Sequence, residues 1–104
     1  MNNPVITIIV RFPVKSEKHQ EFQIEFCKLL EGLRQEETFI EARIHQDFDD
    51  PNIVVFYETY NESRESFLKR IPNKPWFKVF LSRLPNLLQR EREVFGNERI
   101  SSIP

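Results

Sequence analysis

Two eight-residue stretches limit what this chain can become. "VITIIVRF", Val5 to Phe12, and "IVVFYETY", Ile53 to Tyr60, are dense in β-branched and aromatic side chains and too short for typical helices, so both read as strands. Successive side chains of a strand point to opposite faces. The first stretch carries Ile6, Ile8, Val10 and Phe12 on one face and Val5 and Ile9 on the other; the second sets Ile53, Val55 and Tyr57 against Val54 and Phe56. An antiparallel sheet with one wet face alternates apolar and polar residues. These strands are apolar on both faces, so both faces of their sheet need cover.

The segments between them have the other period. Pro13 ends the first strand, Ser16 is placed to cap the next segment, and Phe22, Phe26, Leu29, Leu30 and Leu33 line one face of a helix from about Glu17 to about Gln35. "FIEARIHQD" alternates Ile40, Ala42 and Ile44 against Glu41, Arg43 and His45, the pattern of a half-exposed strand at a sheet edge. "FDDPN", Phe48 to Asn52, has the turn chemistry to join it to Ile53 as a hairpin. Asn61 is placed to cap a short helix bearing Phe67, Leu68 and Ile71, which Pro72 interrupts. Pro75 then suits the first turn of a helix carrying Phe77, Phe80, Leu81 and Leu84. "NLLQREREVFGNERI" either continues helically through Glu93 or breaks near Arg90 and forms a last strand through Val94 and Phe95, the preferred reading, with Gly32 and Gly96 both near element ends.

The order βαββαβ is that of the ferredoxin-like fold, an α+β architecture with helices on one side of an antiparallel sheet. Its helices shield only one face. Leaving the apolar side chains of the other face in water forfeits roughly 1.5–3 kcal/mol for each, so a homodimer with sheets packed face to face is expected, a dimeric α+β barrel. At 104 residues the chain is expected to form one domain, residues 1–104, with ten phenylalanines for its core.

Charge and cysteine content narrow the partners. A net charge of −1 gives no field to gather phosphate backbones or anionic lipid, so neither nucleic acid nor a membrane is an expected partner. RNA-recognition modules share the βαββαβ order, but "NIVVFYETY" lacks the glycine and basic residue of their stacking strand. One thiol, Cys27, permits no intrachain disulfide, and with His19 and His45 far apart in sequence it makes no zinc site; a cytoplasmic location and no bound metal are expected. "MNNPVITIIVRFPVKSEK" has no basic start or small-residue cleavage site, and no stretch approaches a transmembrane length.

"ITIIVRFPVK", "EKHQEFQIEF" and above all "FDDPNIVVFYETY" resemble the antibiotic biosynthesis monooxygenase (ABM) family, with Trp76 and Phe77 continuing the likeness. The resemblance implies a dimer with a small apolar pocket between sheet and helices in each subunit. It also implies a monooxygenase that uses O₂ without metal, flavin or other cofactor on a small aromatic, quinol or polyketide-like substrate. Glu58 matches the family's acidic strand-end residue and Tyr60 takes the place of a tryptophan. Two positions often held by histidine fall at Lys69 or Arg70 and at Trp76, which leaves open the alternative of a non-catalytic dimeric protein that binds a small apolar or aromatic ligand. The pattern of heme-degrading relatives is not met.

The pocket candidates are therefore Arg11, Phe56, Glu58, Tyr60, Trp76 and Phe80; no catalytic residue is assigned. Phe56, Glu58 and Tyr60 share one strand face, where a carboxylate or phenol can bind a substrate hydroxyl or take its proton. The competing role for Glu58 is a structural bond, with Arg11 or Arg43 as partner. Arg11, the only charge of its strand, either reaches the sheet end or binds a phenolate. Trp76 lies on the flank of the Phe77, Phe80, Leu81, Leu84 stripe, where it either closes the core or shapes a pocket. His45 and His19 read as solvated, and Cys27 lies off the helical stripe.

Overall fold

The computed structural model describes residues 4–103. Met1 to Asn3, the start of the stretch without leader features, lie outside the described residues, as does Pro104. The elements are β1 (Ile6–Pro13), a 3-10 turn (Ser16–Lys18) running into α1 (His19–Arg34), β2 (Phe39–Gln46), β3 (Ile53–Tyr60), α2 (Arg64–Arg70) extended by a 3-10 turn (Ile71–Asn73), α3 (Pro75–Leu87) and β4 (Glu93–Glu98). The sheet order is β2-β3-β1-β4 with every neighbouring pair antiparallel, the ferredoxin-like arrangement expected from the element order.

The two doubly apolar strands are the two inner ones. Inner strands have neighbours on both sides, so their backbone groups are paired and their side chains are shielded along both edges. Ile6, Val10 and Phe12 of β1 and Phe56 and Tyr60 of β3 join Phe22, Phe26, Leu29 and Leu33 of α1 and Phe80, Leu84 and Leu87 of α3 in one core. Its centre is aromatic: Phe26 meets Phe56 edge-on at 4.8 Å and Phe12 meets Phe80 edge-on at 5.8 Å. Such pairs contribute about 0.5–1.5 kcal/mol beyond area burial.

Four local expectations are corrected. Ser16 does not cap α1; it lies inside the 3-10 turn and its hydroxyl bonds the Glu17 carboxylate. Asn61 does not cap α2, because its N–H still donates to the Thr38 carbonyl at 2.7 Å and so extends the sheet's hydrogen bonding. The cap falls to Ser63, whose Oγ accepts from the Ser66 N–H at 3.1 Å. In β2 the register slips between Phe39 and Glu41, so Phe39 rather than Ile40 opposes Tyr60 and packs on the core, while Ile40 and Ile44 are exposed. Gly96 lies inside β4 rather than at its end.

Candidate active site

Beside the aromatic core the helix layer stands off from the sheet. No β4 residue is buried, and the space over β1 and β4 beneath α2 and α3 is a cavity of about 720 Å³. That lies within the range of about 300–1,000 Å³ typical of small-molecule sites. Its walls are apolar, with Ile8, Val10 and Val94 from the sheet and Ile71, Phe77 and Leu81 from the helices, while the exposed Arg64, Asn97 and Glu98 and the half-buried Arg92 mark its polar borders.

One buried carboxylate faces this apolar space. Alternation along β3 puts Glu58 on the helix-facing side with Phe56 and Tyr60, and it pairs across the sheet with Ile8. Glu58 is 6% exposed, and among the described residues no cation pairs with it. Among the described residues its one side-chain partner is Tyr60, whose hydroxyl donates to Oε1 at 2.8 Å. Burial pushes the Glu58 carboxyl up to about 7, against the opposing pull of that hydrogen bond. Burial and the adjacent Glu58 charge drive the Tyr60 phenol far above its ordinary value, so Tyr60 stays protonated and donating. Its ring is held by Phe67 at 4.8 Å and Phe39 at 5.9 Å, which fixes the donor and orients the carboxylate. A carboxyl that changes charge near neutrality, at the wall of an apolar cavity, is equipped to take a proton from a bound acid and return it.

A second buried carboxylate lies just beyond the strand. Glu62, also 6% exposed, accepts from Arg70 Nη2 at 2.7 Å, Ser66 Oγ at 2.7 Å and Thr38 Oγ1 at 2.8 Å, and Arg70 Nε also bonds Glu36 at 2.7 Å. Burial alone would raise its carboxyl, but the hydrogen bonds from Arg70, Ser66 and Thr38 prevail and hold it below the usual range. The cluster ties the start of β2 to α2 and does not line the cavity.

The sequence candidates divide. Phe56, Glu58 and Phe80 line the cavity, and Tyr60, with no exposed surface, stands behind Glu58. Arg11 is on the opposite sheet face, ion-paired to Asp47 at 2.9 Å and more loosely to Glu93 at 3.9 Å. Neither it nor Arg43, which pairs with Glu41, contacts Glu58. Trp76 is also off the cavity wall: its ring lies on α1 over Gly32, where an added Cβ would come within 2.4–2.7 Å of three ring carbons. A helix position without a side chain is what lets the indole pack flat there, the core-closing role. His45 is exposed, while His19 is half-buried and bonded through Nε2 to Asn52 Oδ1 at 2.9 Å, which ties the start of α1 to the hairpin. Ile8, Phe77, Leu81, Arg92 and Gly96 also line the cavity and were not among the pocket candidates. Alternation through β4 would have aligned Arg92, Val94 and Gly96 once that strand was set.

Comparison with known proteins adds a family and a fold. The sequence profile of the family described as antibiotic biosynthesis monooxygenase matches residues 5–71. Among solved structures, a conserved protein from Methanosarcina mazei is 26% identical with a TM-score of 0.80, over 90% of this chain and 91% of that one. A protein from Pseudomonas aeruginosa is 22% identical with a TM-score of 0.79, over 97% and 98% of the two chains. A variant of SnoaB, a cofactor-independent oxygenase from Streptomyces nogalater, is 18% identical with a TM-score of 0.79, over 96% and 97%. Among proteins with curated descriptions, none matches the sequence.

Proposed function

This chain belongs to the antibiotic biosynthesis monooxygenase family, and we propose that it is a cofactor-independent monooxygenase of a small aromatic, quinol or polyketide-like substrate, with Glu58 as its base. The observation that carries this reading is the Glu58 carboxyl, buried, with no cation on it among the described residues, and tuned to about 7 at the wall of an apolar cavity. The likeness to the Streptomyces oxygenase supports the fold on which such chemistry runs.

The reaction that fits is conversion of an activated CH₂ group and O₂ to C=O and H₂O. Glu58 takes one proton from the ring-activated carbon. The resulting carbanion, spread over the aromatic system, passes electrons to O₂ and forms a C–O bond, giving a peroxide anion that regains the proton from Glu58. Loss of the second C–H proton with cleavage of the O–O bond leaves the carbonyl, and the departing hydroxide and proton make water. The apolar walls favour these steps by keeping water from quenching the carbanion, and Tyr60 holds the Glu58 carboxylate at its working angle.

The second reading, a dimeric binding or accessory protein, is favoured by the placement of both histidines away from the cavity and of Trp76 where relatives often have one. Oxygen-electrode assays with an anthrone and a hydroquinone panel, without added metal or flavin, separate the two. Oxygen uptake that Glu58→Gln abolishes supports the oxygenase. A ligand that raises the melting temperature with no oxygen uptake establishes the binding role instead.

The same reading makes residues 1–104 one cytoplasmic domain that pairs as a homodimer through its open sheet face. Ile9, Val55, Tyr57 and Phe95 lie on that face, opposite the helices. Among the described residues no helix is long and apolar enough to cross a membrane. Light scattering at micromolar concentration should return twice the monomer mass of 12.6 kDa.

A further inference from the structure

A glycine inside a strand usually has a local cause, and at Gly96 a positive φ, crowding and a β-bulge all fail to supply it, the β1–β4 register running unbroken through the residue. Its backbone does not require glycine, because its φ is not positive. Crowding does not require it either, since an added Cβ would meet no atom of the described residues within 4 Å. The residue nevertheless weakens the strand it occupies, as interior glycines do, and such positions often mark a bend or the close approach of a ligand or of another backbone. Gly96 opposes Ile8, a cavity-wall residue, and directly opposed residues share a face, so the open space above it belongs to the cavity.

The register adds a length. Glu58 and Gly96 flank Ile8 in one row across β3, β1 and β4. Two interstrand spacings separate them, about 9.5 Å. A single ring over Ile8 cannot reach both ends of that row, whereas two or three fused rings can. From the bare position and the row together we infer that Gly96 sets the length of substrate this cavity accepts. A planar fused-ring ligand lies across Ile8, with its acidic group at Glu58 and its far ring over Gly96. This rests on the cavity being the substrate site, but on binding rather than turnover. Pairing of two sheets through the opposite face gives no reason for a bare position here, because a side chain at Gly96 points toward the helices.

The test is equilibrium binding of 1,8-dihydroxyanthraquinone, which has no CH₂ group to oxygenate, and of phenol, to the full chain and to Gly96→Ala and Gly96→Val. The wild type should bind the three-ring probe at least tenfold more tightly than phenol. Alanine and then valine should weaken the three-ring probe stepwise, to tenfold or more for valine, and leave phenol within twofold. Valine is a better strand former than glycine, and circular dichroism with melting temperature shows whether each variant remains folded. Equal weakening of both probes, no weakening in a folded variant, or a change confined to oligomeric state would each overturn the assignment. Failure of the oxygenase reading alone would leave this binding pattern intact and appear only as absent oxygen uptake.

Discussion

Glu58 and Glu62 are four positions apart and equally buried, yet they carry opposite chemistry. Glu62 is saturated: a guanidinium and two hydroxyls hold it ionised, and its role is to lock α2 to the start of β2. Glu58 has one phenol and an open apolar wall, so burial prevails and the group sits near the point of changing charge. Burial by itself does not mark a functional carboxylate. What marks it is the shortfall of partners that favour the charged form, together with space for a ligand to supply one.

Four experiments test that contrast. The largest effect is expected on turnover: Glu58→Gln keeps the shape but removes the base, and should lower the rate of oxygen uptake about 10²–10⁴-fold while the fold persists. Equal activity in that variant would place the chemistry elsewhere. Next is Arg70→Met, which leaves Glu62 buried without its cation. Breaking such pairs costs roughly 3–5 kcal/mol, and because Arg70 is 30% exposed the expectation is about 2–4 kcal/mol in urea unfolding.

The third experiment reads the same contrast through pH. Glu58 has a folded value of about 7 against an ordinary 4.5, so the native state holds its proton more tightly. Its contribution to stability is fully present below about 4.5 and is lost as pH rises toward 7, roughly 3 kcal/mol in all. Glu62 is lowered on folding, so its contribution is present above the ordinary carboxylate value and lost as pH falls through its folded value. Glu58→Gln should therefore flatten the loss of stability between about pH 4.5 and 7 and leave the acid limb in place. The smallest effect belongs to Thr38→Val, which removes one of several bonds to Glu62 and the bond that Thr38 accepts from Arg70, and should cost about 1–2 kcal/mol, with no change in the Glu58-dependent limb.

The two carboxylates were not equally legible in the sequence. Glu58, Tyr60 and Phe56 share one face of a strand whose period is plain, so their grouping was readable from spacing alone. The Glu62 cluster was not, because its partners come from separate segments: Thr38 is 24 positions away, and Glu36, which shares Arg70, is 34 positions from it. Arg11 was misplaced for a related reason. Period two says that it lies across the strand from Val10, but not that Asp47 waits on its side of the sheet.

The sequence by itself determined the element order, the two doubly apolar strands, the proline-divided second crossover and the family. These arise from local periodicity and from residues that restrict φ, which act within a few positions of themselves. Only the tertiary structure decided that Glu58 bonds Tyr60 rather than an arginine, that Trp76 closes over Gly32, and that Gly96 borders empty space. Those outcomes depend on which distant side chains arrive at one place and how completely they fill it. Packing settles that among many segments at once, and a period along one segment does not encode it.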